Sequence, residues 1–101
     1  MLRVSIFTPS HDSKFLEEVY ESIVNQPFYE WVILYNNGAL PKGFSYRDTR
    51  VKEFTYSRFT NDIGLLKREV CGICTGDILL ELDHDDLLLP GDVRVGGIIS
   101  I

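Results

Sequence analysis

Residues 77 to 90 read Asp-Ile-Leu-Leu-Glu-Leu-Asp-His-Asp-Asp-Leu-Leu-Leu-Pro: a short apolar run, Ile78 to Leu82, that ends on Asp83, His84, Asp85 and Asp86. Three carboxylates so close together repel one another, and a folded chain seldom sets them at the end of a buried strand without a counter-charge. Mg²⁺ or Mn²⁺ supplies one, because both favour oxygen ligands and complete their shells with water and substrate phosphates. The position suits such a site, since ligands of open α/β sheets bind beyond the carboxyl ends of the strands. A solvated acidic turn is the bland alternative. Against it, Leu82 before and Leu87-Leu88-Leu89-Pro90 after would squeeze such a turn between two buried segments. A metal–phosphate site at a strand end is the reading that follows.

The rest of the chain alternates strand and helix. Arg3 to Thr8 is β-rich and apolar, and Pro9-Ser10 ends it. Asp12 or Ser13 can cap a helix carrying Glu17 and Glu18 in its early turns, with Leu16, Val19, Tyr20 and Ile23 on one face and Gln26-Pro27 as its stop. Glu30 to Tyr35 reads as a second strand, Asn36-Asn37-Gly38 as the turn that ends it, and 39–49 as loop. Val51 to Tyr56 is a short third strand. Asn61 or Asp62 caps a second helix whose Leu66, Val70, Ile73 and Cys74 share a face, and Gly76 is its expected C-cap. Ile78 to Leu82 closes the series. The order β-α-β-β-α-β predicts an α/β fold with a mostly parallel sheet and helices on its faces. Residues 1–90 form the expected domain, and 91–101, glycine-rich and ending on isoleucines, a tail of unassigned structure.

At 101 residues the chain holds one domain at most. Its net charge of −5 and lack of a basic stripe argue against a nucleic-acid partner. An acidic protein still binds an anionic substrate when a metal bridges the two. No apolar stretch approaches the length of a membrane span. Val4 to Phe7 is too short for the apolar region of a signal peptide, so a cytoplasmic location is expected. Cys71 and Cys74 superficially resemble a redox pair, but they fall late in the second helix, away from the dipole that activates such thiols. They are read as packing residues.

Taken in order, these segments resemble the family 2 glycosyltransferases. Val4-Ser5-Ile6-Phe7-Thr8-Pro9 is similar to the first strand of that family's GT-A domain, and Ser22, Ile23 and Gln26 match its "S-(I/L)-x-x-Q" helix end. Trp31-Val32-Ile33-Leu34 with Asn36-Asn37-Gly38 resembles its second strand and "D-D-G" turn. Gly64, Lys67, Cys74, Gly76 and Asp77 fall where the family places "G…R-N…A-x-G-(D/E)", and Asp83-His84-Asp85-Asp86 matches its "D-x-D-D" signature. The resemblance implies a Rossmann-like nucleotide-binding half, a nucleoside-diphosphate-sugar donor with UDP as the implied base, and transfer to a saccharide or other hydroxyl. It implies Asp85 as direct metal ligand for Mn²⁺ or Mg²⁺, and Asp83 as a second ligand or ribose contact. Thr8, Pro9 and His11 would line the base pocket, Asn36 and His84 would face the nucleotide, and Lys67 would meet the phosphates.

The chain also departs from the family. Asn36 and Asn37 replace two aspartates, and an amide oxygen accepts from uracil N3–H without the charge that strengthens such a bond. His11-Asp12 replaces an aromatic-Asn pair. The chain is shorter than a GT-A domain, and no candidate general base follows Asp86 except Asp92, which lies too close in sequence. The catalytic base is thus expected outside this chain, which is expected to bind Mn²⁺–nucleotide weakly without acceptor-dependent transfer. A truncated, non-catalytic nucleotide-sugar and metal-binding module is the alternative. A phosphoacceptor receiver fits less well, because it gathers its carboxylates from separate strands. Uncovered sheet surface leads to an expectation of self-association.

Overall fold

The computed structural model describes residues 2–83. The expectations placed on His84, Asp85, Asp86, Asp92 and the tail lie outside them. Four strands are formed: β1 (Val4–Ser10), β2 (Glu30–Tyr35), β3 (Val51–Thr55) and β4 (Ile78–Glu81). They make one all-parallel sheet in the order β3-β2-β1-β4. Helix α1 (Leu16–Ile23) links β1 to β2, and α2 (Ile63–Ile73) links β3 to β4. The first crossover steps one way along the sheet and the second steps back, so right-handed connections put the two helices on opposite faces.

The core follows that division. Leu16, Val19 and Ile23 of α1 pack with Ile6, Trp31, Ile33, Tyr35 and Leu80 on one face, and Phe44 of the β2–β3 loop joins them. Leu66 and Val70 of α2 pack with Phe7, Val32 and Leu34 on the other. Alternate strand residues thus serve alternate cores, the pattern of strands covered on both faces.

Several boundaries differ from the sequence reading for identifiable reasons. β1 runs through Pro9 to Ser10. The amides of Asp77, Ile78 and Leu82 donate to the carbonyls of Arg3 and Phe7, so odd-numbered residues of β1 turn their backbone toward β4. β4 has ended beyond Phe7, so the N–H that Pro9 lacks has no partner there to lose. Asp12 caps a short 3-10 turn, Ser13–Phe15, by accepting from Lys14 N, and α1 begins only at Leu16. Of the two proposed caps for α2, Asp62 is the one used, accepting from Leu65 N at 3.0 Å.

Gly76 is no helix cap, because α2 ends at Ile73 with Cys74 as its C-cap residue. Its glycine is required by close approach: a Cβ there would lie 2.4 Å from Ser5 Oγ and 2.7 Å from Arg3 O. Asn37 and Gly38 both take left-handed backbone conformations (φ 51° and 88°), as expected of the turn after β2.

Candidate functional site

In the strand order β3-β2-β1-β4, the chain reverses direction across the sheet between β1 and β4. Crevices at the carboxyl ends of such strands are where α/β sheets take their ligands. A cleft of about 360 Å³ opens there, lined by Pro9 near the end of β1 and His11 just after it, Asn36 after β2, Asp83 after β4, and Ile63, Leu66 and Lys67 of α2. Five residues singled out by the sequence, Pro9, His11, Asn36, Lys67 and Asp83, thus share one concavity.

Thr8 is placed elsewhere. It is fully buried on the α1 face, where its hydroxyl donates to Leu82 O at 2.6 Å and accepts from Trp31 Nε1 at 2.9 Å. Alternation along β1 decides this, since Pro9 and Thr8 must face opposite sides of the sheet. Thr8 therefore supports the site from behind by tying the end of β4 to β1 and satisfying a buried indole.

The two asparagines divide their labour. Asn37 donates Nδ2 to Thr60 O at 2.8 Å and accepts from Thr60 N at its Oδ1 at 2.9 Å, clasping the loop before α2. An aspartate could not make both bonds, because an ionised carboxylate only accepts. Asn36 is buried at the cleft wall, and its Nδ2 donates to Leu34 O at 3.2 Å. With the amide nitrogen engaged, the carbonyl oxygen is the acceptor this side chain offers.

Lys67 projects from α2 with its Nζ 2.5 Å from Glu81 Oε1, and both side chains keep some exposure. Contact with the Glu81 carboxylate raises the Lys67 pKa, and Asp83 adds to the effect from further away. Glu81 Oε1 is buried, and among the described residues the Lys67 ammonium is the partner it has. Glu81 escaped the sequence reading because it sits inside an apolar strand. The alternation that sends Leu80 to one core and Glu81 to the other is the signal that points to it.

Burial pushes the Cys74 thiol up to about 12 and raises Cys71 as well, away from the thiolate form. No helix among the described residues is long and apolar enough to cross a membrane.

No protein-family model matches the chain, and no curated protein sequence is significantly similar to it. Solved structures are similar in fold. The structure of TarS 1-349 from S. aureus superposes with a TM-score of 0.77 at 16% identity over 93% of this chain. The same protein in complex with UDP-GlcNAc gives 0.79 at 17%, and in complex with UDP 0.77 at 16%. The fold is shared with TarS. This chain spans about a third of those structures, 30–31% of their length. The α/β fold that the sequence motifs resemble, a parallel sheet with flanking helices, is the fold observed.

Proposed function

We propose that this chain forms the donor-nucleotide site of a metal-dependent glycosyltransferase, with a nucleoside-diphosphate sugar held in the cleft between β1 and β4. One observation carries the reading. The cleft at the topological switch point gathers an amide acceptor (Asn36), an imidazole (His11), a cation (Lys67) and a carboxylate (Asp83), in a fold shared with a protein solved with UDP-GlcNAc and with UDP. Asn36 would accept from a base N–H, Pro9 and Leu66 would cover the apolar face of the base or ribose, and Lys67 would meet the diphosphate.

The metal is part of this proposal. Mg²⁺ and Mn²⁺ are commonly held by one or two carboxylates together with substrate phosphates and water. Asp83, exposed where β4 ends, fits as one such oxygen donor, and Asp85, outside the described residues, would be the second. No group of three His, Cys, Asp or Glu among the described residues is placed to hold a metal without such help. When bound, the ion would neutralise charge on the departing diphosphate. The chain's own residues then do the rest: Asn36 orients the base, Lys67 holds phosphate oxygens, and Thr8 fixes the strand end from which Asp83 projects. Acceptor transfer, a cytoplasmic setting and self-association belong to the same proposal as its outer parts.

Calorimetric titration of UDP with Mn²⁺ and with EDTA tests the reading. Binding is expected to be tighter with Mn²⁺, and both Asp83→Asn and Asp85→Asn should weaken it far more than Asp92→Asn. Equal effects from Asp85→Asn and Asp92→Asn, or binding indifferent to EDTA, would remove the metal from the site.

A further inference from the structure

Glu81 is an unusual residue for its position. It is the last residue of β4, it pairs in register with the buried Phe7, and it lies partly buried on the α2 face of the sheet beside Lys67. A carboxylate there is costly to desolvate unless its oxygens are satisfied. Its Oε1 is buried and has the ammonium of Lys67 2.5 Å away as its partner among the described residues. Lys67 lines the cleft, and Glu81 is not among the residues that line it. The carboxylate therefore engages the lysine that lines the cleft, the cation available there to an anion among the described lining residues.

We infer that Glu81 is a positioning residue for the anion subsite: it holds the Lys67 ammonium at the cleft wall and acts as a built-in competitor that sets how tightly the subsite takes a diphosphate. The inference rests on the proposed donor site only for the identity of the natural ligand; the subsite itself is defined by Lys67 and Glu81. With no ligand bound, Lys67 and Glu81 neutralise each other. An incoming diphosphate must draw the ammonium off Glu81 Oε1 or share it, and Asp83 adds repulsion at the mouth. A lysine whose charge is already half spent on an internal carboxylate gives a weaker and more readily released anion site than a free one.

The consequence is opposite to that of removing a structural ion pair. Glu81→Gln keeps the shape and removes the charge, so it should tighten inorganic diphosphate and UDP by about two- to fivefold, the range expected for a partly exposed pair, and leave uridine unchanged. In the Lys67→Ala background the same substitution should bring no such gain, because the competitor acts only through that lysine. Should Glu81→Gln fail to fold, Glu81→Leu fills the same packed face with apolar bulk and carries the same expectation.

Calorimetry of inorganic diphosphate, UDP and uridine against the wild-type chain, the Glu81 variant and the Lys67→Ala pair decides it. Selective tightening of both diphosphates, lost without Lys67, supports the inference. Unchanged or weakened diphosphate binding overturns it, and so does an equal change for uridine, which would mark Glu81 as a purely structural residue. If inorganic diphosphate responds while UDP binds no better than it does, the subsite stands and the donor-nucleotide reading falls. If UDP and uridine bind but the substitution moves neither, the reading stands and Glu81 is not the competitor. Absence of diphosphate binding in every variant overturns the inference.

Discussion

Two lysine–glutamate pairs lie on the same face of the sheet, at opposite ends of its strands, and they are built differently. At the amino end, Glu30 is almost wholly buried, yet its carboxylate accepts from Lys52 Nζ, Ser5 Oγ and Thr75 N, each at 2.6 Å, and from Thr75 Oγ1 at 3.2 Å. Ser5 Oγ in turn accepts from Gly76 N at 2.8 Å, so the network joins β1, β2, β3 and the segment after α2. At the carboxyl end, Lys67 is the one partner at the buried Oε1 of Glu81 among the described residues. A buried charge held by four bonds rigidifies a fold, whereas one held by a single ammonium has one contact to exchange when that ammonium turns to another anion. The amino-end pair holds the sheet together. The carboxyl-end pair faces the cleft.

The largest effect should come from breaking the satisfied pair. Burial alone would push the Glu30 carboxyl upward, but the bonds from Lys52, Ser5 and Thr75 outweigh it and bring the pKa from the ordinary 4.5 to about 2. Glu30→Ala strands those donors in a dry layer and should cost about 3 kcal/mol in urea unfolding, the scale of a broken buried pair. The pH dependence has a definite sign. A depressed carboxylate stabilises the fold fully above the unfolded-state pKa and loses that contribution as pH falls from 4.5 toward 2. Glu30→Gln should therefore flatten the acid limb of the stability profile. Part of the slope will remain, because Asp48, hydrogen-bonded by Arg50, is also held at about 2. An unaltered acid limb would break the comparison at its stronger end.

The same contrast explains what was legible in the sequence. Strands and helices were, because apolar periodicity and the Asn36-Asn37-Gly38 turn are local signals. The cleft residues were also in view, since loops at strand ends carry chemistry wherever the sheet is parallel. Glu30 was not. Its burial depends on the register that sets Ser5 beside Glu30 and Lys52 beside Val32, and no local pattern encodes pairings between residues so distant in sequence. Thr8 was misplaced for the opposite reason. It adjoins a cleft residue in sequence, while alternation turns its side chain to the other core. Gly76 carries a similar lesson, because it looks like a cap from one side and is a contact point from the other.

At the carboxyl end, Lys67→Ala should act on ligand more than on the fold. A charge-assisted contact to phosphate contributes roughly 1.5–3 kcal/mol, and Lys67 must loosen its hold on Glu81 to make it, so the lower figure applies. Affinity for UDP should fall about tenfold while uridine binding barely changes. A parallel loss of both ligands in calorimetry would mean that Lys67 works through α2 packing, and the two pairs would then differ only in degree.

The smallest effect sharpens the comparison most. Lys52 is the exposed member of the satisfied pair, with its side chain about two-fifths accessible. Glu30 keeps its bonds from Ser5 and Thr75 when Lys52 is removed. A half-solvated ammonium brings limited Coulomb energy, and holding it in place costs side-chain entropy. Lys52→Ala should thus lower unfolding free energy by less than about 1 kcal/mol and leave UDP affinity unchanged, because the cleft lies at the other end of the strands. Removing the lysine from each pair in turn should then give opposite signatures: a small stability loss without a binding change at the amino end, and a clear binding change at the carboxyl end. If Lys52→Ala weakened UDP as much as Lys67→Ala, both lysines would be acting through the general field of the protein, and the distinction between a structural and a ligand-facing pair would fail.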